Sequence, residues 1–456
     1  MKTKIFLLIL IGWAAHNSFA QSTVLEAYIS EGLKNNLQLQ QEQLNYERSL
    51  ENLAQAKALF LPYAGINASY QLADGGRKIS IPVGDMVNPV YQNLNAINAA
   101  LHNGAPVYPQ IANQTTNFLA NNFHDTKVRI IQPLFNPEIY FNYKAQKEMM
   151  TVQQAQKKAY ENQLRYEIAS AYFQYLQSAE AAQILKNTHR TLQQVLKVNQ
   201  TLVANAKATK DIVLNTEYQL MKTEQQFLEN EKNTAVTKSY FNFLLNRELD
   251  AAIVKDTTLS LPPIDQDEIS VLTQTALKQR QEVVQLQNGL HANEQLISLS
   301  KGNALLPKIN VVGDVGYQGF YYTFGSDQQY WLVQFGLTWD LFKGGEKRTR
   351  VQQARIDYQV TENKMEQLKK QIELQVIQSH YELATAKQAY RVSQNGVRTT
   401  EKSFDIIRSK YNGGTALLIE FIDSQNNYTT AQLTHTINKY EWLRKAAALQ
   451  KTISSL

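Results

Sequence analysis

The fold is decided by residues 330–345, which read YWLVQFGLTWDLFKGG. Large apolar side chains occupy every second position from Trp331 to Leu341, and from Gln334 to Asp340 polar or small residues lie between them. The apolar positions are Trp331, Val333, Phe335, Leu337, Trp339 and Leu341. A period of two is typical of a β-strand with one apolar face. Trp331 and Trp339 would lie roughly 26 Å apart at ~3.3 Å per residue. That separation suits a transmembrane strand with an aromatic residue at each membrane interface.

Four segments share this alternation and predict two strand pairs. The pairs are 63–72 with 126–135, and 308–321 with 330–342. Segment 126–135 alternates least well, and it is included by analogy with the second pair. A soluble β-sandwich can show the same alternation. A single segment therefore does not distinguish the two classes of protein.

An internal repeat organises the chain. The dipeptide Leu-Phe occurs at 134–135 and again at 341–342, an offset of 207 residues (341 − 134). The loop between the first two strands, 73–125, is much longer than the corresponding loop of the second half. The predicted divisions are a first repeat at 21–262, which ends in a linker at 248–262, and a second repeat at 263–456.

Long helices are predicted after each strand pair. Proline is absent from 138–261 and from 308–456, and both stretches are rich in Gln, Ala, Leu, Lys and Glu, which favour helices. Asn136 suits the position that caps a helix, and Pro137 suits its first turn. We predict helical hairpins at 137–247 and 345–452. The first helix of each hairpin would be roughly 100 Å long at 1.5 Å per residue.

The first of these helices has apolar residues at the three-and-four spacing of a coiled coil. The predicted seam contains Ile168, Tyr172, Tyr175, Ala179, Ala182, Leu185, His189, Leu192, Leu196, Asn199 and Val203. His189 is interpreted as a packing or register residue. The turn that follows this helix, 206–210, has no glycine, whereas the turn of the second hairpin contains Gly413 and Gly414.

Residues 1–20 are predicted to be a signal peptide, because two lysines precede an apolar run at 5–13 and Ser18-Phe19-Ala20 follows with small residues at the −3 and −1 positions. The chain has no cysteine and therefore no thiolate metal site. Its formal net charge is +6 with both signs interspersed, which indicates no nucleic-acid partner. No nucleotide, metalloprotease or hydrolase motif is present. We expect neither an enzyme nor a cofactor or metal.

Four strands cannot close a membrane barrel, and an open sheet edge cannot face hydrocarbon. A membrane form of this chain must therefore be an oligomer. Three chains would contribute twelve strands, an even number in the usual range. The loop at 73–125 would lie outside the cell, because the long helices occupy the other end.

These features resemble the TolC-like outer membrane efflux protein family, also called outer membrane factors, across essentially the whole mature chain. Three motifs carry the resemblance. They are the strand-to-helix junction Leu341-Phe342-Lys343-Gly344-Gly345, its degenerate counterpart at 134–137, and a helical tip with Tyr411, Gly414, Thr415, Glu420 and Asp423.

The resemblance implies an α+β membrane protein of the outer membrane. Its fold would be a trimeric 12-stranded transmembrane β-barrel, with four strands per chain, continuous with a long α-helical coiled-coil tunnel in the periplasm. Its function would be the channel of a tripartite efflux or type I secretion system. The implied partners are a second and third copy of the chain, a periplasmic adaptor (membrane fusion) protein, an inner-membrane pump and outer-membrane lipid.

The resemblance also implies site residues. Glu420 and Asp423 would form acidic rings at the periplasmic aperture, and Tyr411 would contact the gate together with the tip turn Gly413, Gly414 and Thr415. The family's basic residue after Gly-Thr is Ala416 here, so a latch that depends on that charge is in question. A solvated acidic face is the simpler interpretation of Glu420 and Asp423. The alternative function is a periplasmic or surface coiled-coil scaffold without transport, and the exported substrate stays open among drugs, metal ions and proteins.

Overall fold

The computed structural model describes residues 23–102, 104–256 and 268–454. The predicted signal peptide at 1–20 and residues 257–262 of the predicted linker lie outside these ranges. Helices account for most of the described chain. They are α1 Thr23–Asn35, α2 Leu37–Ala58, α3 Val83–Leu101, α4 Pro137–Ala204, α5 Asp211–Leu244, α6 Ile269–Gln279, α7 Gln281–Leu305, α8 Glu346–Asn412 and α9 Leu418–Thr452.

The helices α4 and α8 are the longest of these, with 68 and 67 residues. Each therefore extends for roughly 100 Å. The Asn136 side chain caps α4 as predicted, because its Oδ1 accepts a hydrogen bond from the backbone N–H of Glu138 at 3.0 Å. Among the described helices, none has an apolar stretch of the length and hydropathy needed to cross a bilayer.

The strands form a four-stranded and a two-stranded antiparallel sheet. Their bounds are β1 Tyr63–Gln71, β2 Lys78–Ile81, β3 Gln114–Asn117, β4 Phe123–Phe135, β5 Lys308–Phe320 and β6 Gln329–Thr338. The larger sheet has the order β1-β4-β5-β6. The pairing of β4 with β5 therefore joins the strands of the two halves of the chain, and β1 and β6 are its open edges.

The strand ends differ from the sequence-based bounds for reasons that lie in the pairing. β4 begins at Phe123 rather than at 126, because Phe123 pairs with both Gln71 and Phe320. β6 ends at Thr338 rather than at 342, because Thr338 pairs with Lys308, the first residue of β5. Trp339 therefore lies one residue beyond the strand.

The long loop at 73–125 contains regular structure that the sequence did not predict. The strands β2 and β3 pair with each other, and α3 lies between them in the chain. A single proline, Pro89, lies inside α3. Pro and Asn are frequent in this segment, and both residue types indicate turns in a local reading.

The two faces of the four-stranded sheet differ in polarity. One face carries a set of exposed apolar side chains. They are Ile66, Val128, Ile130, Val315, Trp331, Val333, Phe335 and Leu337. The opposite face carries the charged residues, among them Lys127, Arg129 and Asp314. The sheet therefore has one apolar and one charged face, as the alternation of the four segments predicts.

The chain divides into two compact units, and the sheets belong to the smaller one, Ala54–Lys144 with Gln295–Ala354. The larger unit comprises the residues up to Leu53, Ala145–Glu294 and the residues from Arg355 onward. Its main core surrounds Tyr172 and Phe241, which are fully buried. The rings of Tyr172 and Phe241 lie 5.5 Å apart.

The buried stripe of α4 near its C-terminal end is close to the predicted seam but not identical to it. Leu185, Leu192 and Asn199 are buried at intervals of seven, as predicted. The intervening buried positions are Thr188 and Val195, whereas the predicted His189 and Leu196 are only partly buried. Adjacent positions differ by about 100° around a helix. The helix is therefore rotated slightly from the orientation that the apolar pattern favours.

Candidate functional site: the tips of the helical hairpins

The two hairpins of the larger unit end in turns of the same geometry. After α8, the N–H of Thr415 donates to the carbonyl of Lys410 at 2.8 Å, and the N–H of Gly414 donates to that of Tyr411 at 3.0 Å. This pair of bonds is a Schellman motif, which needs a residue with positive φ. Gly414 supplies it, with φ +73°.

The turn after α4 has the same two bonds without a glycine. The N–H of Lys207 donates to Leu202 O at 2.8 Å, and that of Ala206 donates to Val203 O at 3.0 Å. Ala206 has φ +52°. Positive φ strains an L-residue because its Cβ approaches the backbone carbonyl. The first hairpin therefore closes by the same motif at a cost of about 1 kcal/mol.

A buried hydrogen-bond chain connects the two hairpins at these tips. The hydroxyl of Tyr411 on α8 donates to Asn199 Oδ1 on α4 at 2.6 Å. Asn199 Nδ2 then donates to Thr216 Oγ1 on α5 at 2.9 Å. Asn199 and Thr216 are 0% exposed. The Asn199 amide therefore depends on both partners, because a buried polar atom without a hydrogen bond is costly. The Thr216 hydroxyl also donates to Ile212 O at 2.7 Å.

Burial raises the pKa of the Tyr411 phenol above its usual value, and the hydrogen bond with Asn199 lowers it in part. The hydroxyl therefore keeps its proton at physiological pH and acts as a donor. Tyr411 was expected to contact the gate, but its partners Asn199 and Thr216 were not. The sequence held one signal for Asn199, a polar residue at a seam position of a coiled coil.

Aromatic rings pack beside this chain. Phe421 contacts Tyr411 and Phe404, with ring centroids 5.1 and 5.6 Å apart. Phe404 also stacks on Tyr428 at 5.7 Å. The tip is therefore held by an apolar cluster and a polar chain together. Motions that separate α8 from α4 must break the hydrogen bond from Tyr411 to Asn199.

The two acidic residues of the expected ring lie in the first two turns of α9 and are both exposed. Glu420 Oε2 accepts a hydrogen bond from the N–H of Leu417 at 2.7 Å. This bond is the Glu half of a capping box, since Leu417 has no side-chain acceptor to complete it. Glu420 thus stabilises the start of α9, whereas Asp423 is exposed three residues further along the helix.

The other expected site residues occupy three places. Gly413 and Thr415 lie in the turn between α8 and α9, and Ala416 follows them, partly exposed. Trp331 is 76% exposed on the apolar face of β6. Trp339 is exposed just beyond the end of that strand. The described residues thus bring Tyr411 together with Asn199, and they leave Glu420 and Asp423 directed to solvent.

A second polar cluster, on the charged face of the large sheet, was missed by the sequence analysis. Arg129 binds Asp314 through Nε and Nη2, both at 2.8 Å. Lys127 contacts Asp125 and lies 3.9 Å from Asp314. Tyr330 donates to Asp125 Oδ1 at 2.8 Å. The alternating charges of segment 126–135 were the signal, but Asp314, the partner of Arg129, lies on a strand distant in sequence.

The described residues contain no cluster of His, Asp or Glu with the composition of a metal site. Two open grooves lie along the helices. One has a volume of about 690 Å³ between α8 and α9 and is lined by small and polar side chains, including Ala384, Ala389 and Ser393. Neither the grooves nor the tip cluster contains an arrangement of nucleophile, base and orienting group.

Comparison with known proteins gives a family and two long relatives. Residues 272–454 match the model of the outer membrane efflux protein family. The outer membrane protein TolC of Escherichia coli (strain K12) is 20% identical over 482 residues, which cover 100% of this chain and 87% of TolC. The proteases secretion protein PrtF of Dickeya chrysanthemi is 20% identical over 352 residues, 75% of each chain.

Among solved structures, the outer membrane protein VceC of Vibrio cholerae has a TM-score of 0.72 with 14% identity, covering 94% of this chain and 95% of VceC. At this identity the likeness shows a shared fold, mostly helical with a sheet. The resemblance inferred from the junction and tip motifs is confirmed by these findings. Residues 272–454 thus match the outer membrane efflux protein family, and the whole chain resembles TolC-like outer membrane proteins, whose location is the outer membrane with the helical part in the periplasm.

Proposed function

We propose that three copies of this chain form the outer-membrane channel of a tripartite efflux or type I secretion system. The observation that carries the proposal is the four-stranded sheet with one apolar face, one charged face and two open edges, β1 and β6. An open edge in hydrocarbon leaves backbone groups without partners. Pairing of β1 with β6 of another copy removes the edges, and three copies give a closed barrel of twelve strands.

The two halves of the chain support this arrangement. The helices α4 and α8 differ by one residue in length, 68 against 67, and α5 and α9 also differ by one, 34 against 35. Matched lengths are expected of two repeats that surround one axis in a trimer. The repeats differ mainly in the loop between their two strands. In the first repeat this loop, 73–125, contains β2, α3 and β3 and is called the α3 segment.

The proposed protein partners are inferred from the location of the helices in the periplasm. The proposed partners are a periplasmic adaptor and an energised inner-membrane pump, because active export needs an energy source and the outer membrane has none of its own. PrtF is named for the secretion of proteases. The proposal covers efflux and type I secretion alike, because both use a channel of this kind.

The hairpin tips are proposed as the gate. The chain Tyr411–Asn199–Thr216 connects α8 with α4 and α5, so it stabilises the arrangement in which the two hairpins are held together. Glu420 and Asp423 would surround the aperture as six carboxylates in a trimer, since each chain contributes two. Such rings favour cations.

Fractionation tests the channel assignment. We expect the protein to stay with outer membranes in high salt, to be extracted by detergent, and to migrate as a trimer that dissociates only on heating. Purified trimers should conduct in planar lipid bilayers. A monomer released by salt, with no conductance, would contradict the channel and favour the coiled-coil scaffold.

The gate is tested in the same bilayers with Tyr411→Phe. Loss of the hydroxyl leaves Asn199 Oδ1 buried without a donor, which costs about 1–3 kcal/mol in the closed arrangement. We therefore expect a several-fold larger mean conductance or open probability. Tyr428→Phe is the matched control, because its hydroxyl bonds Glu401 at the surface rather than Asn199. Equal conductance of the Y411F variant and the wild type would contradict the gate.

A further inference from the structure

The helix α3 in the outer segment of the smaller unit has two different faces. Its packed face holds the extended segment 105–113 through asparagine side chains. Asn88 donates from Nδ2 to Ile111 O at 2.9 Å and accepts from Ile111 N at 2.8 Å. Asn95 makes the same pair of bonds with Tyr108, at 2.9 and 2.8 Å. The segment is therefore bound along the helix.

Two further contacts fix this packing. The rings of Tyr91 and Tyr108 stack at 5.1 Å. At Gly84, a Cβ atom would lie 2.2 Å from the carbonyl oxygen of Ile111, so only glycine allows the segment to approach this closely. These contacts determine the packed face of α3. The opposite side of the helix is directed away from residues 105–113.

The opposite side is an apolar stripe. Its members are Met86 (72% exposed), Val90 (54%), Leu94 (38%), Ile97 (53%) and Leu101 (67%). Their spacing of three and four places them within about 80° of one another around the helix. The stripe exposes roughly 500 Å², near the upper end of apolar patches on monomeric proteins. Nothing in the described residues of the chain covers it.

The near absence of charged residues around α3 indicates which kind of surface covers the stripe. Between residues 79 and 122 the sequence contains no Lys or Arg, and Asp85 is its single acidic residue. A helix that lies on a membrane surface typically presents basic residues on its polar face, and α3 has none. A surface without charges instead suits contact with another neutral protein surface, and depletion of charge is typical of the centre of such interfaces.

Position and size identify the partner. The α3 segment follows β1 within the chain, and β1 is an open edge of the sheet. At roughly 500 Å² the stripe is smaller than the ~800 Å² per partner of a standard interface. It is therefore suited to extend an interface that already exists rather than to form one alone. The edge of β1 supplies such an interface.

We propose that the apolar stripe of α3 is buried against a neighbouring copy of this chain, forming a subunit contact outside the barrel. The inference rests on the proposed trimer. It adds a contact that the pairing of strand edges does not require, and it assigns a role to the segment in which the two halves of the chain differ most.

Site-directed cross-linking tests this contact. The chain has no cysteine, so an introduced cysteine is the single site that a maleimide labels. The variant Ile97→Cys is labelled with a benzophenone maleimide in outer membranes and irradiated. Gln92→Cys is the matched control, because Gln92 is exposed on the same helix about 140° away from Ile97. The heat-sensitive trimer band is recorded for both variants before irradiation, so that loss of folding is recognised separately.

We expect the I97C variant to give a product of two chains, at least five-fold stronger than that of the Q92C variant. Lipid adducts at the mass of one chain, a cross-link within one chain or a product with another protein would each overturn the inference. If trimers form but I97C gives no two-chain product, the inference fails and the proposed function stands. If no trimers form, the proposed function fails.

Discussion

At the scale of single residues, the two hairpin turns show how one backbone geometry is reached from different sequences. Gly414 and Ala206 occupy the same position of a Schellman motif, with φ +73° and +52°. A glycine has no Cβ and adopts positive φ without strain, whereas alanine does not. The difference between the turns therefore lies in their stability rather than in their shape.

We expect Ala206→Gly to stabilise the first turn by about 0.5–1 kcal/mol, the strain removed being partly offset by the entropy of glycine in the unfolded chain. Gly414→Ala should destabilise the second turn by about 1 kcal/mol. Hydrogen exchange of the turn amides in detergent-solubilised trimers measures both effects.

Gly413→Ala is the control for these variants. Gly413 lacks positive φ, and an added Cβ would meet only ordinary contacts at 3.5 and 3.6 Å. It should change exchange rates little. If G413A and G414A slowed or accelerated exchange equally, backbone strain would not be the cause.

At the scale of elements, the packing of α9 on α8 includes a partly buried histidine. His435 stacks on Tyr390 with centroids 5.1 Å apart, and Ser393 Oγ lies 3.2 Å from its Nδ1. Burial lowers the pKa of His435 below its usual value, although the charge of Glu180 opposes this change. The folded protein therefore favours the neutral ring.

A pKa that is lower in the folded state makes stability depend on pH in a defined direction. The contribution of His435 is fully present above the unfolded pKa of 6.5 and is lost as the pH falls through the folded value. We expect the melting temperature of the helical part to fall between pH 7 and pH 5. His435→Gln should reduce this fall.

His380→Gln on α8 serves as the comparison, because it removes a histidine from the same helix pair at a partly exposed position. Glu180 does not contribute in this pH window. Burial raises its pKa, but Lys439 and Tyr440 lower it below 4.5, so its contribution to stability is lost only below pH 4.5. An H435Q variant with the same pH dependence as the wild type would exclude His435 as the cause.

At the scale of the whole molecule, the proposed trimer turns two exposed carboxylates per chain into a ring. Glu420→Gln with Asp423→Asn should leave trimers intact, because glutamine retains an acceptor for the N–H of Leu417. The cation preference, measured as the reversal potential across a salt gradient in planar bilayers, should decrease.

Glu224→Gln with Glu231→Gln is the matched control for the ring. It removes the same number of charges from exposed positions of α5, away from the turns. It should leave the reversal potential unchanged. An unaltered cation preference in the E420Q/D423N variant would leave the solvated acidic face as the better interpretation of these residues.

The sequence by itself determined the local elements of this protein. The alternation around Trp331 indicates a strand, the proline-free stretches indicate long helices, and Asn136 with Pro137 indicates where α4 begins. These properties depend on residues close together in the sequence, so they can be predicted without knowledge of the rest of the chain.

Tertiary structure alone decided how the two halves of the chain meet. The two halves are joined by the pairing of β4 with β5. Asp314 binds Arg129, 185 positions away, and Tyr411 bonds Asn199, 212 positions away. The α3 helix is also a tertiary outcome, since Asn88 and Asn95 are held by the backbone of residues 13 to 23 positions away. Side-chain patterns specify which face of an element is buried, but the partner on that face is selected only when the chain folds back on itself.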